Sequence, residues 1–386
     1  MKRLITLLPL ITILLIISSC SSKYQSPDSD SFYRSPFPTP NGAPGTLIRS
    51  ESISPPNPKS EAWRVMYTSR GEVNQPIVVT GLVIVPVAPA PTGGRPVVAW
   101  AHPTTGIEDH CAPSLQQNPY GSIMGIEEFL AKGWAVVATD YEGLGVAGPH
   151  PYLVGTSEAR SVLDSVRALR AFPNANVSGQ FAVFGHSQGG QAALFTGELA
   201  TTYAPDLQLV AVAAAAPSGL INEQIRQTWM TEASSYINSY LVTSWQQIFL
   251  YDPATVTSSG SQTSIQQIAA QCVLGGSAAA DARLKQIFDT NPKVTNPLVN
   301  QRITAEEPWR RALETNSPIG KIGAPVLLLQ GTADSVIPPA ISEELASIYK
   351  KNGTSISLKL LEGVPHTLAG YDSVPFVVPF FSSAFR

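Results

Sequence analysis

Gln180–Phe184 is a continuous apolar run that ends on Gly185-His186-Ser187-Gln188-Gly189-Gly190 and passes at once into an Ala/Leu-rich stretch, Gln188–Tyr203. A short run of this kind reads as a strand buried on both faces, and the stretch behind it as a helix. Between them, Gly185-x-Ser187-x-Gly189 must turn the chain sharply, which places the serine on a strained turn where only small neighbours avoid clashing. No other segment of the chain is so tightly constrained.

The surrounding sequence has a matching rhythm. Short apolar runs at Pro96–Ala101, Ala135–Thr139, Gln180–Phe184, Leu209–Ala215, Pro325–Leu329 and Ser355–Leu361 alternate with helical patterns at Gly121–Lys132, Ser157–Phe172 and Gln188–Tyr203. Alternating βαβ units imply a mostly parallel central sheet flanked by helices. Ahead of them, Trp63–Ser69 and Ile77–Val85 read as an antiparallel hairpin across Arg70-Gly71-Glu72-Val73-Asn74. Residues 219–318 break the rhythm. They offer helical patterns, strongest at Ile221–Leu250 and Ser264–Phe288, and no convincing strand, so they read as a helical cap inserted between two strands. An aromatic stripe in it (Trp229, Tyr236, Tyr240, Trp245, Phe249) suits the cap's own core or an acyl-binding surface. The whole reads as an α/β-hydrolase fold over residues 61–386.

That fold carries its catalytic residues in the chain order Ser, Asp or Glu, His. Ser187 is then the nucleophile, and the helix start behind it supplies N–H groups and partial positive charge to an oxyanion. Of five histidines (His102, His110, His150, His186, His366), only His366 follows Ser187 at sufficient distance. Asp334 sits in a short loop after the strand that begins at Pro325, and is the expected acid. His366 would shuttle the proton, and Asp334 would fix its tautomer and stabilise the imidazolium. One oxyanion donor is expected at the backbone N–H of Gln188. The other is expected at Thr104 or Thr105 in the loop His102-Pro103-Thr104-Thr105-Gly106, since Pro103 has no N–H to donate.

The start of the chain reads separately. Met1-Lys2-Arg3 precedes an apolar run, Leu4 to Ile17, too short to span a bilayer comfortably and suited to an export signal over residues 1–19. Ile17-Ser18-Ser19-Cys20 resembles the lipobox of bacterial lipoproteins, which implies lipidation of Cys20; Ser21 after it leans toward an outer membrane if the cell has two. Residues 20–60 are Ser/Pro-rich and read as an extended tether that packs little core, with folded structure beginning near Glu61. In an oxidising compartment Cys111 and Cys272 form an even pair, either a disulfide or two buried thiols. No HExxH, CxxC or tight His/Cys cluster suggests a metal, no cofactor is implied, and a net charge of −3 gives no basis for binding nucleic acid.

The elbow Gly185-His186-Ser187-Gln188-Gly189-Gly190, the run Cys111-Ala112-Pro113-Ser114 and the run Asp140-Tyr141-Glu142-Gly143-Leu144-Gly145 resemble those of the secretory lipase family, which includes fungal lipase A and bacterial relatives. The resemblance covers roughly Glu61 to the end. It implies hydrolysis of carboxylic esters, often with acyl chains, by a Ser–Asp–His triad, and a bridge from the Cys111 loop to the cap. At His102-Pro103-Thr104-Thr105 the chain departs from the fungal enzymes, which carry an acidic residue near this loop. The expected substrate is a small-molecule or lipid ester, met at the membrane through the lipid anchor. The competing readings are a serine peptidase on the same fold and an inactive surface binding protein. Oligomeric state is not legible.

Overall fold

The computed structural model describes residues 30–173, 175–273 and 299–385. Nine strands form one sheet: β1 (Leu47–Ile53), β2 (Ser60–Arg70), β3 (Pro76–Pro86), β4 (Arg95–Ala101), β5 (Ala135–Thr139), β6 (Val177–His186), β7 (Gln208–Ala215), β8 (Val326–Gly331) and β9 (Ile356–Leu361). Their spatial order is β1-β2-β3-β5-β4-β6-β7-β8-β9. β1, β2, β3 and β5 pair antiparallel, and every pairing from β5 through β4 to β9 is parallel.

The inner parallel strands are apolar on both faces because each face is covered, while the edge strand β9 is largely exposed. Alternate residues of β6 divide between two cores: Phe181 and Val183 on one side, Ala182 and Phe184 on the other. The first core is closed by α2 (Gly155–Arg170), α3 (Gln188–Tyr203) and α8 (Pro339–Lys351). The second is closed by α1 (Ile126–Ala131) and α9 (His366–Ala384). β4 lies between β5 and β6, so the chain order reverses there, and it is outside the carboxyl ends of the strands at such a point that ligands bind in open α/β sheets. Ser187 follows β6 and His102 follows β4.

Between β7 and β8 lie α4 (Ile221–Thr228), α5 (Glu232–Phe249), α6 (Gln262–Ala269) and α7 (Trp309–Thr315). They share a core in which Tyr236, Tyr240, Trp245 and Trp309 are buried, so most of the aromatic stripe is the interior of the cap. The expected helix Ser264–Phe288 is seen as α6 at its start, and its part beyond Val273 lies outside the described residues.

Two expectations are corrected. Residues 30–60 are part of the folded domain and not a tether: β1 pairs along β2, Phe32 and Tyr33 are buried, and Asp30 bonds Arg64 at 2.6 Å. Prolines there punctuate short extended segments that an edge strand tolerates, and the few apolar residues between them are the ones that pack. Gly121–Lys132 is helical only from Ile126, because Gly125 stands at φ 84°. α9, in a segment for which the sequence carried no stated expectation, continues through Pro375 and Pro379, residues that disfavour a helix interior.

Candidate active site

The turn after β6 has the geometry its glycines imply. Ser187 is held at φ 57°, ψ −118°, a left-handed conformation costly for a residue with a Cβ, with its N–H on the Ala215 carbonyl at 2.9 Å. A Cβ at Gly185 would lie 1.9 Å from the Gly189 carbonyl oxygen, and one at Gly189 would lie 1.9 Å from that of Ala101. The first contact folds the elbow tightly on itself, and the second presses the start of α3 against the end of β4, next to the loop that starts at His102.

Three residues from three strand ends meet at Ser187. The serine Oγ lies 2.9 Å from His366 Nε2, and His366 Nδ1 lies 2.8 Å from Asp334 Oδ2. Asp334 Oδ1 accepts the N–H groups of Val336 and Ile337 at 2.9 and 2.8 Å, and its Oδ2 also accepts Gln330 Nε2 at 3.1 Å. Burial pushes the Asp334 carboxyl up, but the His366 charge and hydrogen bond together with the two backbone donors pull it below the ordinary carboxylate range. The result is an ionised acid fixed to one nitrogen of a histidine whose other nitrogen faces a serine hydroxyl. His186, next to the nucleophile in sequence, points elsewhere. Its Nε2 donates to the His366 carbonyl at 2.9 Å, and burial lowers its pKa to about 3, so it stays neutral and anchors the backbone of His366.

The expected oxyanion residues lie around this chain. Gln188 opens α3, where a backbone N–H has no intrahelical partner. Thr104 and Thr105 both follow β4: the Thr104 hydroxyl bonds the Tyr152 hydroxyl at 2.8 Å, and the Thr105 hydroxyl is buried without a partner. The Thr105 carbonyl accepts the N–H of Val273 at 2.8 Å, beside the Cys111–Cys272 disulfide. The segment following β4 is therefore joined to the cap by the disulfide at Cys111 and by the hydrogen bond at Thr105. With both sulfurs in the disulfide, the His110–Cys111–Cys272 group offers a metal no thiolate.

Beneath the elbow lies a buried polar layer that sequence reading missed. Gln188 Nε2 donates to Glu158 Oε1 at 2.7 Å and to His150 Nε2 at 3.1 Å, while His150 Nδ1 donates to the Glu142 carbonyl at 2.7 Å. Tyr141, at φ 67°, sets its ring 4.2 Å from that of His102 and donates to the His102 carbonyl at 3.2 Å. The cap holds the same layer from above, through Ser244 on the His150 carbonyl and Trp245 on the Tyr152 carbonyl. Glu158 reads in sequence as one residue of a helix. Its partners are contributed by a loop and by α3, so no local signal marks it.

Known proteins agree with this architecture. The family model of the secretory lipases matches residues 120–369. A lipase A of Arthroderma benhamiae is 24% identical over 91% of this chain and 78% of its own length. A probable inactive lipase of Mycobacterium tuberculosis is 28% identical over 52% of this chain and 48% of its own, and lipase 7 of Candida albicans 27% identical over 52% and 49%. Against these last two, the chain spans about half the length of the relative it matches. In three dimensions the chain is similar to Candida antarctica lipase A in its closed state, with TM-score 0.75 and 17% identity over 93% of this chain and 86% of the other. The rice cell wall degrading esterase LipA of Xanthomonas oryzae gives TM-score 0.71 and 18% identity over 89% and 98%. At these identities the structural likeness speaks to the α/β-hydrolase fold, while the family match covers well over half of the sequence: the chain belongs to the secretory lipase family.

Proposed function

We propose that the protein is an exported carboxylic ester hydrolase, a lipase or carboxylesterase that works through an acyl-enzyme on Ser187. The observation that carries this reading is the hydrogen-bonded series Asp334–His366–Ser187 at 2.8 and 2.9 Å. His366 Nε2 takes the Oγ proton as the oxygen attacks the ester carbonyl. The N–H of Gln188 and a donor of the Thr104–Thr105 loop stabilise the tetrahedral oxyanion. Collapse expels the alcohol, which leaves with the proton from His366, and water then repeats the sequence on the acyl-enzyme. Asp334, ionised throughout, stabilises the imidazolium formed in each half. The cap is the element that selects the acyl or alcohol group.

Residues 1–19 act as the export signal, and Cys20 is the acylated anchor. This part of the reading rests on the sequence alone. Two acyl-type chains on one cysteine hold a protein stably, where one would be marginal. Replacing Ser187 with Ala should lower kcat on p-nitrophenyl esters by about 10⁴-fold or more. Undiminished hydrolysis by that variant would remove Ser187 from the mechanism. Cys20→Ser should move the protein from the membrane fraction to the soluble one, and unchanged membrane retention would refute the anchor.

A further inference from the structure

Glu158 lies next to the triad's elbow, in contact with the residue that follows the serine. It is fully buried on α2, one turn from its start, and no ion pair among the described residues engages it. Its Oε1 accepts the Gln188 side-chain amide at 2.7 Å and the Leu153 N–H at 3.0 Å, while its Oε2 is buried with no partner. The Gln188 amide oxygen is likewise buried and unpartnered. Proton placement around them is constrained. His150 Nδ1 faces a carbonyl and must carry the ring proton, so its Nε2 is an acceptor and the NH₂ of Gln188 must point at it. Both amide hydrogens of Gln188 are then used, on His150 and on Glu158 Oε1. What remains is one acceptor, Gln188 Oε1, and one oxygen, Glu158 Oε2, which becomes a donor if the acid keeps its proton. An ionised Glu158 would leave both oxygens orphaned and a charge without a counterion in the interior.

We infer that Glu158 is a positioning residue for ester hydrolysis: as a neutral carboxylic acid it holds the Gln188 side chain through its Oε1 without placing a charge in the interior, and thereby holds the N–H that meets the oxyanion. The inference rests on the reading of Ser187 as nucleophile. Burial pushes the Glu158 carboxyl up to about 8, against the lowering effect of the Gln188 and Leu153 bonds, so the proton is held at neutral pH. The titratable groups facing this position are Tyr141 and Tyr152, both pushed up by burial, His150, lowered to about 3, and Glu142 beyond His150, raised by burial. Ionisation of Glu158 in alkali would set an uncompensated negative charge in the interior behind the forming oxyanion, which opposes it.

The experiment compares full-length wild type, E158Q and E158A by kcat and KM on a p-nitrophenyl ester from pH 6 to 10, with fluorophosphonate labelling of Ser187 in each. Glutamine keeps one donor and one acceptor in place and cannot ionise. E158A should lower kcat about tenfold or more with KM changed less than about threefold, and E158Q should recover most of that loss. Wild-type kcat/KM should fall above about pH 8, and E158Q should lack that fall. If E158A does not fold, the alkaline limbs of wild type and E158Q decide the matter alone. Coincident limbs, or an E158Q as impaired as E158A, overturn the role of the neutral acid. A wild type that hydrolyses the ester and is labelled at Ser187 while this happens leaves the hydrolase reading standing; an unlabelled wild type takes both down.

Discussion

At the scale of single residues, the chemistry follows from which atoms are forced to share protons. Asp334 has both oxygens occupied by donors, one set from the backbone and the other including His366, so its ionised form is the only one that satisfies the loop around it. Asp334→Asn should retain the fold and lower kcat near neutral pH by about 10³- to 10⁴-fold, because the amide can present an N–H to Nδ1 and favour the wrong tautomer. A loss of less than about tenfold would assign the acid to another residue. Glu158 makes the opposite statement about charge. Its folded pKa is raised, so the stability it contributes is complete below the ordinary glutamate value and is lost as pH rises toward about 8. The melting temperature of E158Q relative to wild type should therefore increase between about pH 5 and pH 8.5, read by thermal unfolding at each pH. A difference that stays flat over this window would mean that Glu158 is charged in the native state. Ser187 and Asp334 were legible in the sequence because each follows a buried apolar strand, whereas His366, beyond the largely exposed β9, was picked out by chain order. Glu158, His150 and the Gln188 side chain were not, because their pairing joins a helix, a loop and a second helix.

Among the elements, the strands of the parallel sheet were readable and the sheet's outer edge was not. Strands buried on both faces leave continuous apolar runs, and β5 is found at the expected Ala135–Thr139. β1 carries no such run: its sequence, Leu-Ile-Arg-Ser-Glu-Ser-Ile, is a half-exposed edge whose identity comes from eleven-residue β2 beside it. The same holds for the Phe32–Tyr33 pair, whose burial depends on partners contributed much later. Tyr33 bonds the Ser114 hydroxyl at 2.9 Å, and its neighbour Phe32 stacks against Arg64. Tyr33→Ala should cost about 3 kcal/mol of unfolding free energy, measured by urea titration, through the cavity it leaves. A change within about 0.5 kcal/mol would restore residues 30–60 to the status of a tether. At the elbow, Gly189→Ala should destabilise the protein or prevent folding, since the new methyl would meet the Ala101 carbonyl oxygen, which belongs to backbone and cannot swing away. Soluble, wild-type-like expression of that variant would contradict the close approach of α3 to β4.

Across the whole molecule, the cap and the sheet domain are joined close to the loop that follows β4. Cys111 and Cys272 are 161 residues apart in sequence, and their bond ties the loop following β4 to the cap next to the Val273–Thr105 hydrogen bond. Replacing both cysteines by serine should lower stability by about 2–4 kcal/mol by freeing a long loop in the unfolded chain. It should also lower kcat more than it raises KM if the Thr104–Thr105 loop loses its register at the oxyanion. Steady-state kinetics on the purified double variant separates the two effects, and an unchanged kcat would confine the disulfide to a purely stabilising role.

The sequence by itself determined the sheet's rhythm, the elbow, the grouping of Asp334 and His366 with Ser187, and the existence of a helical insertion. Each of these is written in local patterns: apolar runs, glycines flanking a serine, and chain order. Only the tertiary structure decided that residues 30–60 complete the domain, that α9 runs through two prolines, that most of the aromatic stripe fills the cap, and that a buried acid stands behind Gln188. Those outcomes depend on which distant surface a residue meets and whether its hydrogen bonds are answered there, and neither is encoded within a few residues of the chain.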